Sequence, residues 1–244
     1  MLKLVVVFGL KEGVNPDQFW KYYLETKAPN FAEPFKESDG LLRYVINRVV
    51  PKRHREDKTV SKFAGITEIV FKDEQAFANR HVTPESKRDA KWLVERISPH
   101  VGFWVEEHII VGNSGLIGSP KTEKPAFDKG LVLFGLKEGV DQDVFWKWYL
   151  AEKAQHFSTT PGVVRYVLNR ITKVDKVDSS APNLTGLVEF QFATLEAVQK
   201  RHSYEGLGET KEDIRYSMDV TDAHVGLAVE EHIIVGEAGL LSRL

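Results

Sequence analysis

Apolar residues along the chain fall into short blocks whose spacing changes from period two to helical period and back, in a fixed order. "LKLVVVFGL" (2–10) is β-branched and closes on a glycine, which predicts a strand. Asn15-Pro16-Asp17 then offers a cap with proline just inside a helix start, and Phe19, Trp20, Tyr23 and Leu24 follow at helical spacing. Residues 43–50 and 63–71 predict a second and a third strand, "DEQAFANRH" (73–81) starts a second helical segment, and residues 103–111 predict a fourth strand. The order β-α-β-β-α-β describes a ferredoxin-like unit, an antiparallel sheet with its helices on one face.

The order then repeats. "FGLKEGVNPDQFWKYYL" (8–24) matches "FGLKEGVDQDVFWKWYL" (134–150) in 13 of 17 positions, and "HVGFWVEEHIIVG" (100–112) matches "HVGLAVEEHIIVG" (224–236). "RYVINR" at 43–48 answers "RYVLNR" at 165–170, and Gly65 answers Gly186. The expected organisation is a first repeat at 1–112, a glycine-, proline- and charge-rich linker at 113–130 and a second repeat at 131–244. A sheet with helices on one face leaves the other bare, and two copies in one chain can cover each other. The expected fold is α+β: two ferredoxin-like repeats forming one pseudo-twofold barrel with helices outside.

Composition narrows the function. The 33 basic and 35 acidic side chains give a net charge of -2, so no global field favours nucleic acid or anionic lipid. Cysteine is absent, which removes thiol nucleophiles and cysteine metal sites and suits a reducing cytoplasm. The N-terminal apolar run is too short for a signal-peptide core, and no later run approaches the ~20 residues of a membrane span. The expectation is a cytoplasmic, monomeric pseudo-dimer, open to further homodimerisation, that takes a small hydrophobic substrate and neither nucleic acid nor membrane.

"FWKYYLETKAP" (19–29), "GLLRYVINR" (40–48), "FAGITEIVF" (63–71) and the closing "VEEHIIV" (105–111) together resemble the EthD branch of the dimeric α+β barrel superfamily, here as a tandem, fused version of what is usually a homodimer. The resemblance implies cofactor-independent acid–base chemistry on small oxygenated molecules: dehydration, cyclisation, isomerisation or lyase cleavage of aromatic, lactone or polyketide-like compounds. The same superfamily includes haem-dependent enzymes and cofactor-free oxygenases. Members usually carry a histidine in a helix-ending H-x-P motif; this chain has Lys27 before Ala28-Pro29 and Lys153 before Ala154-Gln155.

Strand parity sorts the candidate side chains. In the last strand Phe103, Val105, Glu107, Ile109 and Val111 form the more apolar set, expected to meet the helices, which sends Glu106 and His108, with Glu230 and His232, into the barrel. The third strand sends Glu68 and Glu189 inward, and the second sends Arg43, Asn47, Arg165 and Asn169. In a dry interior a histidine titrating near neutral pH is a candidate base and a desolvated glutamate, its pKa raised, a candidate acid. The plainer alternatives are buried structural partners at Glu106–His108 and its copy, and ion pairs of Glu68 and Glu189 with Arg43 or Arg165.

The repeats differ most between second helix and last strand, and at Phe103-Trp104 against Leu227-Ala228. Trp104 is expected to plug one half of the barrel and Ala228 to leave an apolar pocket in the other, flanked by His232, Glu230, Glu189 and Tyr149. Tyr23 and Tyr149 otherwise read as helix-to-sheet core, and Lys27 and Lys153 as exposed helix-end cations. His81 and His202 read as surface residues, His100 and His224 as turn residues, and "KRHRED" (52–57) as a solvated loop. A non-catalytic binding protein remains the alternative to an enzyme. A metal site is not expected, because Glu-x-His on a strand has no diagnostic ligand spacing.

Overall fold

The computed structural model describes residues 1–50, 62–119, 129–177, 183–194, 196–198, 200, 208 and 210–237. "KRHRED", His202 and the side chain of His224 lie outside the described residues.

Eight strands close into one antiparallel barrel: β1 (Leu2–Leu10), β2 (Leu41–Val50), β3 (Gly65–Phe71), β4 (Ile97–Val111), β5 (Lys129–Leu136), β6 (Val163–Val177), β7 (Gly186–Phe192) and β8 (Thr221–Val235). Their order around the barrel is β1-β3-β2-β8-β5-β7-β6-β4, with β4 returning to β1. Each half thus contributes the spatial order 4-1-3-2, and the halves meet along β2–β8 and β4–β6. All pairings are antiparallel, so every strand has two neighbours and no sheet edge is left to template aggregation.

Between β1 and β2 the chain forms α1 (Pro16–Tyr22), a π-turn (Tyr23–Lys27), α2 (Ala28–Ala32) and a 3-10 turn (Glu33–Phe35). The Asn15 side chain accepts from the Gln18 amide and Pro16 occupies the first turn, as the cap motif predicts. The second half repeats this with α5 (Gln142–Trp148), a π-turn (Tyr149–Lys153) and α6 (Ala154–Ser158), capped by Asp141. In the first half α3 (Glu74–Ala78) covers the predicted second helical segment.

Two features depart from the sequence reading. The divergent segments each hold a helix, α4 (Pro84–Val94) and its counterpart, here numbered α7 (Lys211–Val220), capped by Thr83 and Thr210. The last strands begin at Ile97 and Thr221, several residues before the predicted start at 103. The low apolar content of α4 and α7 hid them: beside the ring contacts of Trp92 and Tyr216, each docks through a buried aspartate. Asp89 of α4 accepts from the Tyr22 hydroxyl and the Asn30 amide, both at 2.7 Å, and Asp213 of α7 lies 2.7 Å from His156.

The core has three parts. Helix-to-sheet layers lie over each half, one built on Phe8, Phe19, Tyr23, Tyr44 and Phe71, the other on Phe134, Phe145, Tyr149, Tyr166 and Phe192. The third is the barrel interior, where Val5, Val7, Phe103, Leu131, Leu133, Leu187 and Val229 pack together. The glycine that opens β3 and its copy on β7 let aromatic side chains lie flat on the sheet. A Cβ on Gly65 would stand 2.6 Å from Phe8 Cζ and 2.7 Å from Trp20 Cη2, and one on Gly186 would stand 2.4 Å from Phe134 Cζ.

Gly65→Ala and Gly186→Ala are therefore expected to cost about 1–3 kcal/mol each by overpacking. The two losses should be nearly additive, because the sites share no partner. Urea unfolding of the single and double variants measures both.

Candidate functional site

The polar end of the barrel holds four cations and four carboxylates. Lys3 of β1 lies 2.8 Å from Glu68 and 3.1 Å from Glu189, and also pairs with Glu107. Its pseudo-symmetric copy, Lys129 of β5, lies 2.7 Å from Glu68, 2.8 Å from Glu189 and 3.1 Å from Glu231. Arg43 pairs with Glu107, and Arg165 lies 3.4 Å from Glu189. Asn47 and Asn169 donate to Glu68 and Glu189 at 2.8 and 2.9 Å. The charges sum to zero, as a water-poor interior requires.

This arrangement corrects the acid–base reading of the interior. Burial alone would push Glu68 and Glu189 up, but Lys129, Lys3 and the arginines outweigh it and hold both carboxyls below the usual range. Burial likewise opposes the charge on Glu107, yet Lys3 and Arg43 bring it down to about 2. Burial opposes the charge on Lys3 and Lys129 as well, and the surrounding glutamates raise both above the ordinary lysine value. Neither Glu68 nor Glu189 is a protonated acid at neutral pH. The cavity at this end, lined by Arg43, Glu68, Lys129, Arg165 and Glu231 among others, measures about 20 Å³, which holds one water and no organic substrate.

Glu68, Glu189, Arg43, Asn47, Arg165 and Asn169 point inward as parity predicts, whereas the last strands are turned the other way. Glu107 and Glu231 face the barrel, while Glu106, His108, Glu230 and His232 lie on the outer face, with His108 and His232 about a quarter exposed. The reason is that a closed barrel has an apolar core on both sides of its wall. The greater apolarity of Phe103 and Val105 marks the barrel core, and their alternates cover the helix side. Trp104 accordingly packs edge-on against Phe77 at 4.7 Å in the first helix layer and plugs nothing inside the barrel. Ala228 faces the second helix layer. Phe190 fills space beside it: its ring reaches within 2.3 Å of where a Cβ on neighbouring Gly130 would stand.

The helix layers contain a second set of polar groups. Lys27, read from sequence as exposed, is only 8% exposed and closes the π-turn that Tyr23 opens. The wider turn carries its side chain back under the helix, where Nζ donates to the Tyr44 hydroxyl at 3.2 Å and the Tyr23 hydroxyl at 3.4 Å. Nζ also sits 4.4 Å from the centroid of the Tyr23 ring. The Tyr23 hydroxyl is held by Thr67 at 2.9 Å. Burial, with Tyr23 adding to it, raises the Tyr44 phenol well above its ordinary value. Among the described residues no carboxylate lies within ion-pair distance of Lys27, in contrast to Lys3 and Lys129.

The second layer is similar but unequal. Lys153 is also buried, its Nζ 5.7 Å from the Tyr149 ring centroid, and Tyr166 donates directly to Tyr149 at 3.2 Å. Val188 stands where the first half has Thr67. His81, expected at the surface, is half-buried with its ring edge-on to Phe31. Sequence parity missed Lys3 and Lys129, although their alternation with Val5, Val7, Leu131 and Leu133 carries the signal. It saw Lys27 and misjudged its burial, because nothing in α-helical periodicity announces a π-turn.

Residues 11–93 match the family model for the EthD domain. No curated protein matches the chain in sequence. Among solved structures, a "putative monooxygenase" from Fusobacterium nucleatum subsp. nucleatum ATCC 25586 has a TM-score of 0.61 at 13% identity, covering 98% of this chain and 95% of that one. An anthrone oxidase-like protein gives 0.61 at 10% identity over 99% and 96% of the two chains. A "putative monooxygenase" from Lactobacillus acidophilus NCFM gives 0.57 at 11% identity over 96% and 95%. At these identities the shared property is the fold, an α+β barrel. Among the described residues, no helix is long and apolar enough to cross a membrane.

The ion cluster makes two testable predictions. Lys129→Met removes one of the two lysines that neutralise Glu68 and Glu189 and the lysine partner of Glu231, and is expected to cost about 3–5 kcal/mol in urea unfolding. Because Glu107 is lowered from 4.5 to about 2, with Glu68 and Glu189 also lowered, their stabilisation is complete above pH 4.5 and is lost as pH falls toward 2. Unfolding free energies measured between pH 6 and 2 should fall steeply only below about 4.5.

Proposed function

We propose that this protein, whose first half carries an EthD domain, is an enzyme that moves protons on a small, apolar, oxygenated molecule, with Lys27, Tyr23 and Tyr44 as its site. The observation that carries this reading is a lysine buried in an apolar layer with two phenols at its ammonium and, among the described residues, no carboxylate within ion-pair distance. Such a group lacks the anion that burial ordinarily demands, and an enolate or phenolate oxygen would supply it. Deprotonation of a carbon beside a carbonyl places charge on that oxygen; Lys27 stabilises it, and Tyr44, kept in its phenol form, donates a hydrogen bond to it. The proton returned to carbon gives isomerisation, while expulsion of a neighbouring oxygen or carbon group gives dehydration or lyase cleavage. The aromatic walls of Phe8, Phe31 and Tyr23 suit an aromatic or polyketide-like skeleton. Tyr23 and Tyr44 are almost wholly inaccessible, so binding requires the packing over them to open.

Each half is read as a ferredoxin-like unit, supported by the 4-1-3-2 strand order, and residues 113–130 as the linker between the two. A second reading is favoured by the fold shared with proteins named for oxygen chemistry: the same stabilised phenolate could react with dioxygen. Catalysis at Glu68 or Glu189 is not part of the proposal.

Lys27→Met is expected to lower turnover at least a hundredfold on the responsive substrate of an aromatic, lactone and polyketide panel, with the fold intact by circular dichroism. Unchanged turnover would remove Lys27 from the mechanism. Equal rates with and without dioxygen support the lyase or isomerase reading, and a requirement for dioxygen supports the oxygenase. An absorption spectrum of the pure protein tests for haem.

A further inference from the structure

The outer-face position of the two Glu-x-His pairs raises the question of which helix layer each one joins. The barrel order answers it. The last strand of each half starts beside its own first strand and ends beside the other half's second strand: β8 pairs with β5 through Leu227 and Ala228, and with β2 through Glu230, Glu231, His232 and Ile233. His232 stands opposite Ile46 and Glu230 opposite Arg48. Ile46 and Tyr44 belong to the layer that holds Tyr23 and Lys27, and Ile234 and Val235 pack against that same layer. Helix α2, which follows Lys27 directly, touches β8. The first half's strand does the reverse: His108 stands opposite Leu168 and Glu106 opposite Arg170, Ile110 and Val111 pack into the layer of Tyr149 and Tyr166, and α6 touches β4.

We propose that the two sites are completed crosswise: Glu230 and His232 of the second half are the acid–base pair of the Lys27 site, and Glu106 and His108 of the first half are that of the Lys153 site. The assignment rests on the reading of Lys27 as an oxyanion site. In each pair the imidazole Nε2 lies near its glutamate, at 3.8 Å in Glu230–His232 and 3.5 Å in Glu106–His108. In the reaction, His232 takes the proton from the carbon beside the substrate carbonyl, the C–H pair forms a carbon–carbon double bond as the carbonyl π pair moves onto the oxygen facing Lys27, and the imidazolium returns the proton to carbon at the new position as the carbonyl re-forms. Atoms and electrons balance with no further reactant. Neither site exists in one half alone, so each half needs the other for its chemistry.

The test reads histidine titrations by NMR and needs no substrate. Strand pairing brings Glu230 on its own strand and Arg48 and Tyr44 on β2 to the face of His232, in the layer that also holds Tyr23 and Lys27; His108 shares its face with Glu106, Arg170 and Tyr166, in the layer of Tyr149 and Lys153. Each variant changes one of these, and the others contribute equally before and after. Removing a cation relieves repulsion of the imidazolium, so Lys27→Met is expected to raise the pKa of His232 by about half a unit and leave His108 unchanged. Lys153→Met should raise His108 and leave His232 unchanged. Lys27→Gln, which keeps a polar group beside Tyr44, repeats the first measurement should the methionine variant fold poorly. Shifts that follow each lysine's own half, or no shift in either histidine, would overturn the crosswise assignment. Crossed shifts combined with undiminished turnover in Lys27→Met would leave the assignment standing and remove the proposed function instead.

Discussion

The charge balance at the polar end of the barrel constrains everything around it. Two lysines, each contacting three glutamates, bridge the halves: Lys3 of the first half reaches Glu189 of the second, and Lys129 reaches Glu68. Any one of these charges alone would make burial untenable, whereas together they satisfy one another across the pseudo-twofold axis. The network locks the register of β1, β3, β5 and β7, because a one-residue slip would turn Lys3 or Lys129 out of the barrel and leave carboxylates unpaired. It also uses up the interior, which leaves the helix layers as the place to look for chemistry.

The helix layers follow a different logic. There the aromatic rings lie over glycine, and the ammonium of the first layer meets phenols where that of the barrel meets carboxylates. A π-turn in each half begins at a tyrosine and ends at a lysine, and the widened backbone brings that lysine beneath the helix. Turns of this kind cost helical regularity and are found disproportionately at functional sites. The two layers share this device yet differ where it matters, since Thr67 fixes one phenol in the first half and Val188 leaves the corresponding phenols bonded to each other.

Much of the fold was legible because duplication doubles every signal: a weak strand pattern that occurs twice in order is hard to mistake. The caps at Asn15 and Asp141, the glycines that admit Phe8 and Phe134, and the inward direction of Glu68 and Glu189 all follow from local rules. Two things did not. The sense of β4 and β8 depends on which side of a wall is core, and in a closed barrel both are, so the apolar set containing Phe103 and Val105 pointed the wrong way. The burial of Lys27 depends on a π-turn, which leaves no mark in a pattern read at 3.6 residues per turn. The docking of α4 and α7 through Asp89 and Asp213 escaped for a related reason, because polar anchors read like solvated positions until their partners are placed.

The replacement of Leu4, Ile69 and Trp104 in one layer by Gly130, Phe190 and Ala228 in the other has a wider meaning. In a homodimer each substitution is made in both subunits at once, so bulk removed at a tryptophan must be recovered twice by symmetric means. Joined in a single gene, the halves are released from that rule, and a ring can migrate from one strand to its neighbour on one side only. The two layers of this protein are therefore free to drift toward different ligands, or for one to keep a reaction while the other becomes scaffold, without either change having to be tolerated in duplicate.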